Sequence, residues 1–337
     1  MYGFIIVVGT ITNSLVIIFF GFKTKEHLSF HWFLIHLAVA DGICCIVTPV
    51  LNFYLLATGY EWHLGSLLCK TITPVGFITV NVSAWILCGI AYERYRSIGD
   101  PLKARFSKKH INLVCSCMWF GSALLAVPLF TWTEVSGSVC QPTWTPKQHF
   151  VVGMLGLLSQ SLIPIVVMAI SFLFIRKAFH LQNSKILIIS GKKRMNRMQS
   201  KAKITTQTLL IAFLTFVVCS LPYNVLYLLT IIMFRFNVYT REESQQYSGV
   251  YDKFGFWLSY LVVANSVMNC FIYAGKFPAF RKFLFIGLSG RRSYASGNRM
   301  NEGNGALNQQ RCPLTSSFAL RQSKWKSCLF TEQQTIF

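Results

Sequence analysis

The chain has 337 residues, of which 53% are hydrophobic and only 13% are charged. A soluble protein carries about 25% charged residues, so this composition excludes an ordinary soluble domain and favours a membrane protein. The net charge of +21 raises nucleic acid as a partner, but the basic residues lie between apolar runs and in a tail, which argues against nucleic acid and for a membrane surface.

Seven apolar runs are long enough to cross a bilayer, since a membrane-spanning helix needs roughly 18–20 apolar residues. They cover residues 2–22, 32–57, 68–93, 111–131, 150–174, 205–233 and 254–274. The first run has no basic segment before it, which favours a true span, or a chain truncated at its start, over a cleaved signal peptide. We predict an all-α membrane protein, a seven-transmembrane helix bundle with the third run as its central helix.

The basic residues fix the orientation of this bundle. Of the 32 Lys and Arg residues, 27 lie in the loops after the first, third and fifth runs and in the tail, and 5 lie in the alternate loops. Because basic residues concentrate on the cytoplasmic side, we predict an extracellular N-terminus and a cytoplasmic C-terminus.

The segment after the seventh run divides into two parts. From Lys276 to Leu288, apolar residues recur at helical spacing with Arg281 and Lys282 between them, which predicts a short amphipathic helix on the cytoplasmic surface. The remainder is rich in Ser, Gly, Asn and Gln. We therefore expect a seven-transmembrane unit at residues 1–288 and a disordered cytoplasmic tail at 289–337.

Asp41 is the acid that lies deepest in an apolar run. An intramembrane carboxylate is costly without partners, so it is a functional candidate. Further oxygen-bearing side chains near the middle of other runs could join it around a small cation: Asn13, Ser83, Asn265 and Asn269. A neutral, hydrogen-bonded structural carboxyl is the alternative.

The eleven cysteines have no CxxC pairs and no histidines at zinc spacing, so a metal centre of that type is not expected. Cys69 and Cys140 lie at the predicted external side, where an oxidising environment permits a disulfide; two free thiols are the alternative. The histidines form no acid–base set and there is no phosphate-binding loop, so an enzyme is not expected.

Short motifs follow one another along these runs. In order they are Gly9-x-x-x-Asn13, Leu37-Ala-x-Ala-Asp41, Trp62-x-x-Gly65, Glu93-Arg94-Tyr95, Phe216-x-x-Cys219-x-x-Pro222 and Asn265-x-x-x-Asn269-x-x-x-Tyr273. With the seven runs, they resemble the rhodopsin-like G protein-coupled receptors over residues 9–285. The resemblance implies a plasma-membrane receptor that binds an extracellular ligand and activates heterotrimeric G proteins.

The resemblance also assigns roles to individual residues. Arg94 is the arginine that meets the G protein and Tyr273 swings inward on activation; the full set implied for coupling and activation is Glu93, Arg94, Tyr95, Phe216, Pro222 and Tyr273. The family's sodium site corresponds to Asp41, Ser83, Asn265 and Asn269, so sodium is the one expected modulator and no other cofactor is expected. Cys69 and Cys140 match the family's disulfide.

The chain departs from the family pattern at several places. Ser220 stands where a tryptophan is usual, Cys270 replaces the proline of Asn-Pro-x-x-Tyr, Phe172 replaces a tyrosine, and Ala202 stands where some members carry an acid. By the resemblance, Gly76 and Val263 occupy the places of the amine-binding aspartate and the retinal lysine, which argues against a biogenic-amine or light receptor. The expected pocket is aromatic and uncharged: Tyr54, Phe77, Gln160, Tyr223, Asn224, Tyr227 and Ser259.

Such walls suit a peptide or an uncharged small molecule. The run from Tyr92 to Tyr95 and the Trp62 loop resemble peptide receptors more than lipid receptors, which favours a peptide. The expected partners are this ligand, a heterotrimeric G protein, arrestin at the phosphorylatable tail, and membrane lipid. Two alternatives stay open: a seven-helix channel or transporter that uses Asp41, and a receptor-like protein that no longer signals. Ser220 and Cys270 favour the second alternative, whereas the intact Glu93-Arg94-Tyr95 disfavours it.

Overall fold

The computed structural model describes residues 2–24, 28–99, 106–186, 192–236 and 241–288. The predicted tail at 289–337 lies outside these residues. The helices are α1 (Tyr2–Ile18), α2 (Ser29–Ala57), α3 (Gly65–Gly99), α4 (Lys108–Leu125), α5 (Val127–Thr131), α6 (Pro146–Leu157), α7 (Ile163–Ile186), α8 (Lys192–Phe236), α9 (Arg241–Lys276) and α10 (Pro278–Leu288). Two π-helical turns, Phe19–Lys23 and Leu158–Leu162, extend α1 and join α6 to α7.

Six segments of the described chain are long and apolar enough to cross a membrane: Tyr2–Lys23, Ser29–Ala57, Gly65–Gly99, Pro146–Phe179, Lys203–Met233 and Trp257–Lys276. They coincide with six of the seven runs in the sequence. The fourth run, 111–131, is divided between α4 and α5 at Ala126. Pro128 has no N–H to continue the helical ladder, so the ladder restarts with the Leu129 N–H donating to the Ala126 carbonyl at 2.9 Å.

The third run forms the central helix of the bundle. α3 contacts α2, α4, α7 and α8, as well as the short α5. Its middle turns bury Val82, Ala84, Ile86 and Leu87 almost completely. Small and β-branched side chains there allow neighbouring helices to approach closely, which is how membrane helices pack in the absence of a hydrophobic driving force.

A polar junction ties α3 to two neighbours inside this packing. The Asn81 amide donates to the Ser159 hydroxyl at 2.8 Å, and the Ser122 hydroxyl donates to the Asn81 carbonyl oxygen at 3.0 Å. Ser122 lies on α4 and Ser159 on the π-helical turn before α7. The side-chain nitrogen and oxygen of the buried Asn81 therefore both have hydrogen-bond partners, as polar groups in a hydrocarbon environment require.

A β-hairpin lies between α5 and α6. Its strands are β1 (Thr133–Ser136) and β2 (Val139–Pro142), paired antiparallel with Ser136 opposite Val139. Gly137 takes a φ of 61° at the first of the two loop positions, a backbone region that glycine enters without steric cost. The sequence analysis missed this hairpin, although two short apolar–polar segments around Gly137-Ser138 are its signature.

The predicted amphipathic helix is confirmed as α10. Its buried face meets the π-helical end of α1, where the Phe280 ring lies 5.1 Å from the Phe19 ring and 5.9 Å from the Phe20 ring. Phe280 is completely buried, whereas Arg281 and Lys282 are exposed.

Candidate functional site

A cavity of about 360 Å³ opens among α2, α3, α6, α8 and α9 and the π-helical turn Leu158–Leu162. Six of the seven side chains predicted for the pocket line it: Phe77, Gln160, Tyr223, Asn224, Tyr227 and Ser259. The seventh, Tyr54, is placed elsewhere. Its hydroxyl accepts a hydrogen bond from the His63 N–H at 2.7 Å and its ring packs edge-on against Trp62, because the last turn of α2 carries it to the loop that follows.

The π-helical turn at Leu158–Leu162 supplies part of the cavity wall. Pro164 has no N–H to donate to the Gln160 carbonyl. The helix widens just before it, so that the Ile163 N–H donates to the carbonyl of Leu158, five residues earlier. Gln160 there donates to the Phe77 carbonyl at 3.2 Å, and Ser161 accepts from the Asn224 amide at 2.9 Å. The wall is thus tied to α3 on one side and to α8 on the other.

The described residues that line the cavity include neither an acid nor a base. Its polar groups are hydroxyls and amides, and several of them are already paired with the protein. A ligand group that enters this space meets aromatic faces and neutral hydrogen-bonding partners, which supply orientation rather than net charge.

Asp41 lies below this cavity and is completely buried. One of its carboxylate oxygens accepts from the Ser83 hydroxyl and the Ser266 hydroxyl, both at 2.9 Å, and the other accepts from the Asn269 amide at 2.7 Å. Three donors thus surround one intramembrane carboxylate and partly offset the cost of its burial.

The hydrogen bonds to Asp41 involve only part of the predicted cation set. The hydrogen bonds that reach Asp41 within the described chain come from Ser83, Ser266 and Asn269, and Asn265 instead lines the cavity. Successive helical residues point about 100° apart, so a one-residue difference moves a side chain to another face. Asn13, also predicted here, donates to the Gly9 and Ser266 carbonyls at 2.9 and 3.2 Å.

Glu93 and Arg94 lie at the opposite end of α3, and both are buried. The guanidinium folds back onto its neighbour: Nε donates to the Glu93 carboxylate at 2.5 Å, and a second nitrogen forms an ion pair with the same oxygen. The guanidinium carbon also lies 4.4 Å from the centre of the Phe30 ring on α2. The arginine is therefore held by a carboxylate and by an aromatic face.

A disulfide joins Cys69 on α3 to Cys140 on β2, as the resemblance implied. Two further contacts hold the hairpin at this end of the bundle. The Trp62 N–H donates to the Ser138 carbonyl at 2.6 Å, and Lys70 lies 3.8 Å from Glu134. The exposed Lys70–Glu134 pair contributes little by itself, so the covalent link is the main restraint.

A family model described as "7 transmembrane receptor (rhodopsin family)" matches residues 12–273. This match spans most of the chain, and it includes the Asp41 cluster and the Glu93–Arg94 pair. The protein belongs to the rhodopsin family of seven-transmembrane receptors. It is accordingly a multi-pass membrane receptor, and α4 with α5 takes the place of the fourth span.

Several curated relatives of the receptor are themselves peptide receptors by name. It is 27% identical over 302 residues to the neuromedin-K receptor of Oryctolagus cuniculus, an alignment that covers 86% of this chain and 62% of that protein. It is 24% identical over 352 residues to the tachykinin-like peptides receptor 86C of Drosophila melanogaster, covering 97% of this chain and 65% of that one. The chain thus spans somewhat less than two thirds of the length of these relatives.

The remaining residues predicted for receptor activation lie on α3, α8 and α9. Tyr273 is buried and its ring lies 6.3 Å from the rings of both Phe20 and Phe277. Tyr95 is partly exposed and packs on Phe174. Phe216 lines the cavity, and Pro222 is exposed on α8.

The Asp41 cluster fits a hard cation such as sodium by its chemistry. Such ions take oxygen ligands, and the carboxylate with the Ser83 and Ser266 hydroxyls supplies oxygens only. If a cation bound there, the hydroxyls would turn their protons away from Asp41 and present their lone pairs.

Proposed function

We propose that this receptor resides in the plasma membrane, binds an extracellular peptide and activates heterotrimeric G proteins. The observation that carries the proposal is the layout of α3. One end of this helix borders an uncharged cavity and is tied to the hairpin by Cys69, and the other end presents a restrained arginine, Arg94. A ligand site and a charged switch thus share one continuous helix.

A peptide is favoured over a small molecule by the names of the relatives and by the shape of the site. A cavity of about 360 Å³ is near the lower end of the range for small-ligand sites. A peptide would insert only one end or one side chain into it. The rest would lie across the outer surface, where Trp132 and Tyr60 are exposed beside the hairpin.

The coupling proposal rests on Arg94. Release of the guanidinium from Glu93 would make its donors available to backbone carbonyls of a G protein segment. Such charge-assisted hydrogen bonds are stronger than neutral ones. Arrestin binding through the tail is a further expectation, and that tail lies outside the described residues.

Sodium is proposed as a negative modulator at Asp41. A ligand shifts a conformational equilibrium only by its different affinity for the two states. Sodium would favour the resting arrangement, in which α2, α3 and α9 meet at this carboxylate, and would lower agonist affinity.

A screen tests the receptor function directly. Cells that express the chain would be exposed to a library of neuropeptides and read by surface-normalised G protein activation. Once an agonist is found, Arg94→Ala should suppress its signal while binding of labelled agonist persists. Arg96→Ala is the matched control, since that side chain lies over the Phe106 ring. An Arg94→Ala receptor that signals like the parent would contradict the coupling mechanism.

The orientation has its own test. We propose an extracellular N-terminus and a cytoplasmic C-terminus because of the 27 basic residues on the predicted inner side. A C-terminal epitope tag should be stained only in permeabilised cells. Staining of intact cells would overturn this topology.

A further inference from the structure

The cavity extends deeper than the side chains predicted to bind a ligand. The same space that is lined by Thr73 near the start of α3 is also lined by Ser83, ten residues further along that helix, which corresponds to about 15 Å of helix rise. Ser220 and Ser266 line it too. The cavity therefore reaches the side chains that surround Asp41.

The small side chain at position 220 leaves this lower space open. Ser220 is buried, and its hydroxyl folds back along α8 to donate to the Phe216 carbonyl at 2.5 Å. The next turn is fixed as well, since the Asn224 amide donates to the Ser220 carbonyl at 2.8 Å. A bulky ring at this position would occupy the space that joins the upper cavity to Ser83 and Ser266.

The hydrogen-bonding polarity of this lower space follows from Asp41. Ser83 and Ser266 each donate their single proton to the carboxylate. A hydroxyl has one donor and two acceptor lone pairs, so the oxygens of both serines can only accept from a group in the cavity. Behind them lies the Asp41 carboxyl group, and the described donors that reach it are the two serine hydroxyls and the Asn269 amide, none of which is cationic.

We propose that Ser83, Ser220 and Ser266 form the floor of a subsite for a positively charged hydrogen-bond donor of the ligand, an ammonium or guanidinium group, attracted by Asp41. The proposal rests on the receptor function proposed above and names the chemistry of the deepest ligand group. A lysine, arginine or amino-terminal group of a peptide has this chemistry. The neutral upper walls would hold the remainder of the ligand without competing for the charge.

Cysteine accessibility tests the subsite without any agonist. The Ser266→Cys receptor in intact cells would be treated with cationic aminoethyl methanethiosulfonate or anionic sulfonatoethyl methanethiosulfonate, and modification of that cysteine followed by peptide mass spectrometry. Thr73→Cys is the matched control, because Thr73 lines the same cavity but is exposed near its mouth. For a reagent charge about 10 Å from the Asp41 carboxylate, at an effective dielectric constant of about 20, the electrostatic interaction changes the rate of cysteine modification by about tenfold or more.

We expect the cationic-to-anionic rate ratio at Ser266→Cys to exceed that at Thr73→Cys by at least about tenfold, because Asp41 attracts the cationic reagent and repels the anionic one. Adding Asp41→Asn should reduce the ratio to the Thr73→Cys value, and adding Ser220→Trp should slow both reagents at Ser266→Cys. Unchanged labelling of Thr73→Cys in the Ser220→Trp background shows that the fold persists, and Ser220→Leu provides a smaller block. Two results would overturn the proposed subsite. One is an equal cationic-to-anionic rate ratio at Ser266→Cys and Thr73→Cys; the other is that neither Ser220→Trp nor Ser220→Leu slows the modification of Ser266→Cys. The modification assay does not depend on signalling. The receptor function is tested separately by the peptide screen of the parent receptor, so failure of one proposal can be distinguished from failure of the other.

Discussion

Replacing Glu93 with Gln should raise ligand-independent signalling. The Glu93 side chain is buried and receives two nitrogens of the Arg94 guanidinium on one carboxylate oxygen. Glutamine has nearly the same size and can still accept a hydrogen bond, but it carries no charge. The substitution therefore weakens the restraint on Arg94 without opening a cavity.

The size of the effect follows from the two kinds of hydrogen bond. Bonds to charged groups contribute about 1.5–3 kcal/mol and neutral ones about 0.5–1.5 kcal/mol, so the loss is about 1–2 kcal/mol. If the resting state is stabilised by that amount relative to the active state, the active fraction should rise about 5- to 30-fold. The Phe30 ring, 4.4 Å from the guanidinium carbon, restrains Arg94 in the parent and in the variant alike, so it does not change this ratio.

The assay is G protein activation without agonist, divided by the number of receptors at the surface. Glu134→Gln is the matched control, because it removes the same charge from an exposed pair with Lys70 at 3.8 Å, where little stabilisation is expected. Basal signalling of Glu93→Gln equal to that of the parent and of Glu134→Gln, at normal surface expression, would refute the reasoning.

Three further predictions concern stability and modulation. Cys140→Ala should lower the stability of the purified receptor by about 2–4 kcal/mol. The loss should appear as a lower thermal unfolding temperature and as reduced surface expression. Mass spectrometry that finds both Cys69 and Cys140 as free thiols in the native receptor would contradict this prediction. Asp41→Asn should abolish the decrease in agonist affinity caused by sodium, and an equally sodium-sensitive variant would return Asp41 to a structural role. Gly9→Ala should destabilise the receptor by about 1–3 kcal/mol, because its Cβ would lie 2.5 Å from the Cys45 Sγ. Gly3→Ala, which meets nothing within 4 Å, is the control for that helix, and equal thermal stability of the two variants would contradict the predicted clash.

The parts of the fold that the sequence predicted well are those set by bilayer thickness. Apolar length and the motif order located most spans and the central helix, because both depend on the sequence of one segment at a time. The division of the fourth run at Ala126 depends instead on how Pro128 interrupts the backbone hydrogen bonds of the helix. The hairpin is short, and the apolar runs on either side of it dominated the sequence pattern.

The site was predicted less completely, for reasons of rotation and register. Asn265 and Ser266 are adjacent, and only the orientation of α9 decides which of them faces Asp41. Ser159 and Ser161 lie within the π-helical turn Leu158–Leu162, where side chains do not follow α-helical spacing, so they could not be assigned to their partners from the sequence. Tyr54 was predicted as an aromatic residue of the pocket, whereas its contacts with Trp62 and His63 draw it to the loop.

The polar junction at Asn81 has a consequence for how the protein enters the membrane. Within the described chain, α4 is not among the six segments apolar enough to span alone. It is held by its neighbours: Ser122 donates to Asn81, Asn112 lies 3.3 Å from His36, and Lys108 lies 4.1 Å from the centre of the Trp32 ring. All three partners precede α4 in the chain, so they are synthesised before it. The order of synthesis thus provides α4 with its partners by the time it leaves the ribosome.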